Sequence, residues 1–182
     1  MPANRSADPR LGHGYDLHRL QPGGSLVLAG VVVAEDVGPV AHSDGDVVLH
    51  AVVDALLGAM GWGDIGELFP NDDPQWKGAA SRVFVEDVID RVHAGGYVVS
   101  NCDVTILAER PKLKPFKPAM RTTLAGLLRV AEDRVNIKAG TNEGCDAIGR
   151  GEAIAAHAVV SLFVTPSPST APATPVLPSA GE

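Results

Sequence analysis

HSDGDVVLHAVVDALLGAMG, residues 42–61, is the stretch on which the fold turns. Ser43 or Asp44 has the short oxygen-bearing side chain that caps a helix N-terminus, and Gly61 and Gly63 can end one. Between them Val47, Val48, Leu49, Val52, Val53, Leu56, Leu57 and Met60 point in nearly every direction, which is the pattern of a buried helix. Asp46, His50 and Asp54 stand four apart and share one stripe of that helix. Ionisable groups in apolar surroundings need partners. Two readings are open on this helix alone: a histidine satisfied between two carboxylates, or a metal ligand with acidic neighbours.

Upstream, residues 11–20 (LGHGYDLHRL) read as a strand, so Asp16 and His18, two apart, share a face. Residues 25–33 are apolar, β-branched and broken by Gly30, which reads as a hairpin packed near that strand. Residues 35–41 read as a loop. Downstream, residues 63–77 are dense in Gly, Asp and Pro and read as a long functional or mobile loop. Residues 79–94 carry Val85, Val88, Ile89 and Val92 at helical spacing, opposite Asp87, Asp90 and Arg91. A strand follows at 97–107, then a basic, proline-broken loop at 109–117 and a helix at 118–130. A short strand at 134–139 and a turn-rich loop at 140–151 come next; residues 153–165 are apolar and fit helix or strand. The expected fold class is α+β, a two-layer domain with a mixed β-sheet and helices packed on one face. Residues 1–10 read as a flexible N-terminus, 11–165 as the folded domain, and 166–182, with five prolines, as a disordered tail.

The chain has 182 residues, 45% of them hydrophobic, and a net charge of −7. That charge argues against nucleic-acid or anionic-membrane partners, so an anionic ligand must be met by a local basic pocket or a metal. Two cysteines, Cys102 and Cys145, are too few for a disulfide framework. No signal-type segment opens the sequence and no apolar run reaches membrane-spanning length, so the expected location is cytoplasmic.

Asp16, His18 and His50 would together offer one carboxylate and two imidazoles, ligand types that zinc accepts. Three protein ligands leave a fourth position open, as catalytic sites do. The spacing alone does not separate this from three unrelated structural residues.

The order GHGYDLH, AHSDGDVVLHAVVDALLGAMGWGDIGELFP, DPQWKGAASR, ERPKL, NIKAGTNEG and IGRGEAIAAHAV spans residues 11–164. In it the chain resembles the 2-C-methyl-D-erythritol 2,4-cyclodiphosphate synthase family of the non-mevalonate isoprenoid pathway. The resemblance implies cyclisation of 4-diphosphocytidyl-2-C-methyl-D-erythritol 2-phosphate with release of CMP. It implies Zn2+ on Asp16, His18 and His50, and Glu143 helping to hold a second divalent cation, Mg2+ or Mn2+. His42 and Thr141 would stabilise the transition state. Ser43, Asp64, Ile65, Gly66, Phe69, Asn71, Asp73, Gly140 and Arg150 would contact substrate, and Ala108, Lys112 and Leu113 the cytidine diphosphate. It also implies a homotrimer with interfacial active sites and a central cavity, and no nucleic-acid or membrane partner.

Intramolecular phosphoryl transfer needs no protein nucleophile; positioning and charge stabilisation suffice. Lys112 can place a point charge on the nucleotide phosphates, whereas Lys114 and Lys117 read as solvated. Asp46 and Asp54 either orient His50 or, for Asp46, cap the helix. The family commonly reads K-A-T-T-T-E-x-L-G-F-x-G-R where this chain has KAGTNEGCDAIGR, with Gly140, Asn142, Asp146 and Ala147 as departures. Asn71 and Phe116 depart too. Activity is expected to persist, with weaker substrate or cavity-ligand binding. A zinc phosphohydrolase and a non-catalytic trimeric scaffold are the competing readings. Retention of Asp16, His18, His42, His50, Thr141 and Glu143 together favours the cyclase. A zinc deaminase is disfavoured because no P-C-x-x-C occurs.

Overall fold

The computed structural model describes residues 8–70, 72–76 and 78–165. The expected disordered tail and most of the expected flexible N-terminus therefore lie outside the described residues. Strand β1 (Arg10–Pro22) turns Gly12, Gly14, Asp16 and His18 inward and leaves Leu11, His13, Tyr15 and Leu17 exposed. Short strands β2 (Leu26–Leu28) and β3 (Val31–Ala34) form the expected hairpin, as a separate two-stranded sheet. The stretch read as a loop at 35–41 instead contains β4 (Val37–Pro39), which pairs antiparallel with the end of β1.

Helix α1 (Val47–Met60) is the buried helix the apolar run predicted, and His50 is buried with it. Its N-cap is Asp46, not Ser43 or Asp44. Asp46 is fully buried, and one of its oxygens accepts from Val48 N and Leu49 N, both at 3.1 Å. The carboxylate also takes the N–H groups of Ala29 (2.9 Å) and Gly30 (2.7 Å) at the hairpin tip. One side chain thus closes the helix start and pins the hairpin to it. Gly61 ends the helix at φ 71°, a conformation glycine adopts without steric cost.

The remaining elements are α2 (Ile65–Leu68), α3 (Arg82–Ala94), β5 (Tyr97–Leu107), α4 (Lys117–Leu128), β6 (Val135–Gly140), α5 (Asp146–Gly149) and β7 (Ala153–Val164). Helix α2 and a 3-10 turn at Pro74–Trp76 lie in the stretch read as a loop at 63–77, and α5 in the one at 140–151. The ambiguous segment at 153–165 is a strand, central in a sheet of order β4-β1-β7-β5-β6. Neighbours on both edges and burial on most of its length erase the alternation that marks a half-exposed strand. The sheet is mixed: β5 and β6 are parallel, and the other pairs antiparallel.

Helix α1 lies on β1 and β7, α3 on α1 and β5, and α4 on α3 and β6. These helices and the inward sheet residues form one apolar core. The approach of α1 to β1 is the tightest feature of the fold. A Cβ on Gly12 would sit 1.8 Å from the Ala55 carbonyl oxygen, and one on Gly14 1.9 Å from that of Ala51. Only glycine permits backbone to meet backbone this closely. Among the described residues no helix is long and apolar enough to cross a membrane.

Candidate metal centre and its cavity

The two-residue period that puts Gly12 and Gly14 under α1 carries Asp16 and His18 along the same face. His50, one position before Ala51 on α1, meets them there. Asp16 Oδ2 lies 2.9 Å from His50 Nδ1 and 3.3 Å from His18 Nε2, and the two ring nitrogens are 3.3 Å apart. A tetrahedral site with metal–ligand bonds of about 2.0–2.1 Å has ligand–ligand edges of about 3.3 Å. The three atoms therefore outline one face of such a site, and a divalent cation fits. Among the described residues this is the one cluster of three metal-capable side chains.

Burial alone would push the Asp16 carboxyl up; the bond to His50 and the nearby His18 and His50 rings outweigh it and hold the carboxyl below its ordinary range. For His18 burial dominates and lowers the imidazole, against the pull of Asp16. Both shifts favour the forms that bind a cation, a carboxylate and a neutral ring.

The triad lines a cavity of about 210 Å³ with His42, Ser43, Ile65, Gly66 and Phe69. Trp76 and Phe84 complete its wall, their rings 5.5 Å apart, with Phe69 at 4.7 Å from Phe84. Asp64 stands beside this cavity as the cap of α2, accepting from Glu67 N at 3.0 Å. Asp73 accepts from Gln75 N at 3.0 Å in the following turn. Asn71 lies outside the described residues.

The remaining expected residues gather elsewhere on the chain. Ala108 donates its N–H to Gly140 O at 3.0 Å, joining the ends of β5 and β6. Thr141 donates its hydroxyl to Glu143 Oε1 at 3.1 Å. Leu113 is buried, Lys112 is exposed, and Arg150 is paired with Glu152 at 3.0 Å. None of these lines the triad cavity. The departures in this loop answer one another: Asp146 accepts from Asn142 Nδ2 at 2.8 Å and from Ile148 N at 2.7 Å. The Asn142 bond first, then the α5 N–H groups, hold its carboxyl below the ordinary range.

Asp46 and Asp54 do not orient the His50 ring. Asp46 caps α1, and Asp54 accepts from Ile65 N at 2.8 Å, fixing the start of α2 beside the cavity. The groups that do reach the far ring nitrogen of His50 are Ser81, at 2.8 Å, and Ser43, at 3.2 Å. Ser81 went unremarked in the sequence; its one signal was a serine opening an amphipathic helix, which reads as an ordinary cap.

The YgbB family matches residues 9–163. The chain is 52% identical over 154 residues to a 2-C-methyl-D-erythritol 2,4-cyclodiphosphate synthase of Pelobacter propionicus, covering 85% of this chain and 98% of that one. It is 50% identical over 154 residues to the chloroplastic synthase of Arabidopsis thaliana, covering 85% and 67%. The fold matches a solved Plasmodium falciparum IspF–CDP complex with TM-score 0.77 at 30% identity, over 87% of this chain and 98% of that one. The chain thus belongs to the YgbB family and shares its activity, the synthesis of 2-C-methyl-D-erythritol 2,4-cyclodiphosphate in the non-mevalonate pathway.

Proposed function

We propose that this synthesis runs as an intramolecular cyclisation, in a zinc site completed by a neighbouring copy of the chain in a homotrimer. The observation that carries the reading is the triangle of Asp16, His18 and His50 ligand atoms at a cavity edged by His42, Ser43 and Gly66. An oxygen of the 2-phosphate attacks the β-phosphorus of the same substrate. The bond from that phosphorus to the oxygen bridging it to the cytidylyl phosphate breaks, and CMP leaves with the bridging oxygen. Zinc on the triad, and magnesium or manganese helped by Glu143, supply Lewis-acid stabilisation of the phosphate charge when bound.

The protein's own work is placement. His42 and Thr141 donate to phosphate oxygens, and the α2 turn at Asp64–Gly66 receives the erythritol hydroxyls. Ala108, Lys112 and Leu113 take the cytidine diphosphate, and the aromatic wall of Phe69, Trp76 and Phe84 limits water. Asn142 and the α5 N–H groups hold the Asp146 carboxylate, still charged, against its own loop, which supports retained activity.

Two features support assembly. The cavity, about 210 Å³, is smaller than the roughly 300–1,000 Å³ of pockets that enclose a drug-sized ligand. The sheet face opposite α1 exposes Leu11, Tyr15, Leu17, Val98, Val159 and Phe163 together, an apolar extent that monomers seldom leave bare.

Complementation tests the reading. His50→Ala and Thr141→Ala each remove one half of a site and should each be nearly inert. Denatured together and refolded, they should recover about a quarter of wild-type turnover to cyclic diphosphate and CMP, the statistical share for head-to-tail contacts. No recovery from folded, mixed chains would place the whole site in one protomer. A linear product would mark a phosphohydrolase instead.

A further inference from the structure

We infer that Ser81 and Asp44 are positioning residues for His50: they hold the proton on Nε2 and leave Nδ1 as the atom that faces Asp16 and His18. The inference rests on the metal-centre reading above. Ser81 is fully buried, with Oγ 2.8 Å from His50 Nε2. The same hydroxyl donates to Asp44 Oδ1, and Ser81 N donates to Asp44 Oδ2 at 3.0 Å. An ionised carboxylate only accepts, so the hydroxyl hydrogen points to Asp44. Ser81 Oγ then has only lone pairs to offer the ring, and Nε2 must carry the hydrogen. The lone pair of the neutral ring is thereby placed on Nδ1, 2.9 Å from Asp16 Oδ2.

Helix geometry supplies a second, independent observation. Ser81 occupies the N-cap position of α3, where serine ordinarily accepts from the free N–H groups of the first turn. Here it has helical φ −60° and ψ −18° and makes no side-chain cap bond. The hydroxyl is turned away from its local role and toward His50 and Asp44. Asp44 is itself braced, its N–H on Ala79 O at 3.1 Å and Oδ1 taking Asp46 N at 3.3 Å. Ser43 is the lesser partner of Nε2: its Oγ is 3.2 Å away and also takes the Gly45 N–H.

The orientation of a ligating imidazole by the partner of its other nitrogen typically accounts for about 10–100-fold in metal affinity. Zinc affinity by competition with a chromogenic chelator, together with ring-nitrogen NMR of histidine-labelled zinc-loaded protein, tests the assignment. Wild type should show a slowly exchanging His50 Nε2–H. Ser81→Ala should bind zinc about 10–100-fold more weakly and lose that protected proton. Ser81→Thr, which keeps the hydroxyl, should restore both, and Asp44→Asn should give an intermediate loss. Wild-type affinity in Ser81→Ala with the proton still protected overturns the assignment. Should Ser81→Ala fail to fold, unchanged affinity in Asp44→Asn overturns it. His50→Ala binding zinc as tightly as wild type would instead sink the metal centre itself.

Discussion

Asp16, His18 and His50 stand on a strand and a helix pressed backbone to backbone, whereas Ala108, Gly140, Thr141 and Glu143 stand where β5 and β6 run out into loops. The first region is buried or half-buried, and His50 is held at both ring nitrogens by named partners. The second is exposed apart from buried Ala108, and its internal bonds, Thr141 to Glu143 and Asn142 to Asp146, are local. One region is preorganised by the core; the other is held at the surface by local bonds. A single chain thus carries the expected residues yet gathers only part of them around its cavity.

Damage to the close approach of α1 and β1 has the largest expected effect. Gly14→Ala puts a methyl 1.9 Å from the Ala51 carbonyl oxygen, on backbone that cannot rotate aside. The expected cost is at the upper end for overpacking, about 3 kcal/mol, measured by urea unfolding. Because Ala51 adjoins His50, zinc binding should fall as well, while the loops after β5 and β6 keep their local bonds. A Gly14→Ala protein with wild-type stability and zinc affinity would show that the helix and strand do not set the triad.

That closeness also marks where sequence reading stops. The two-residue period placing Asp16 with His18, and the apolar run burying His50, are local regularities and were legible. The reason for Gly12 and Gly14 is not local, since a glycine in a strand otherwise signals only weakness until α1 is laid across it. Asp46 looked like a partner for His50 because four residues separate them; its other partners, Ala29 and Gly30, come from a hairpin tip that no helical period reveals. Ser81 went unremarked because its use lies across the cavity, on His50. Strand β4 and helix α2 were missed because three or four residues are too few to show a period. Motif order alone does not show that Ala108, Thr141 and Glu143 stand away from the triad cavity, because it says nothing about which motifs fold together; the resemblance, with its interfacial sites, led to that expectation.

A smaller effect separates anchoring from ligation. Asp46→Ala removes four hydrogen-bond acceptances at a fully buried position but touches no triad side chain. Loss of the cap and the stranding of hairpin N–H groups should cost about 2–3 kcal/mol in chemical unfolding. Zinc affinity of the folded fraction should stay close to wild type. A large loss of affinity at unchanged stability would return Asp46 to the role of orienting His50.

The smallest effect belongs to the exposed region. Lys112 lies beside buried Leu113 on the segment after β5, has an exposed side chain, and makes no ion pair among the described residues. The cytidylyl phosphate is one bridging oxygen from the phosphorus under attack and takes up charge as CMP departs, so removing a point charge there acts on kcat/KM. Lys112→Ala should lower kcat/KM about tenfold, or roughly 1.4 kcal/mol, the size of one exposed charge-assisted contact. The loss should grow smaller with added salt, because the phosphate contact is screened at the surface. An unchanged kcat/KM would make Lys112 a solvated loop residue with no hold on the nucleotide.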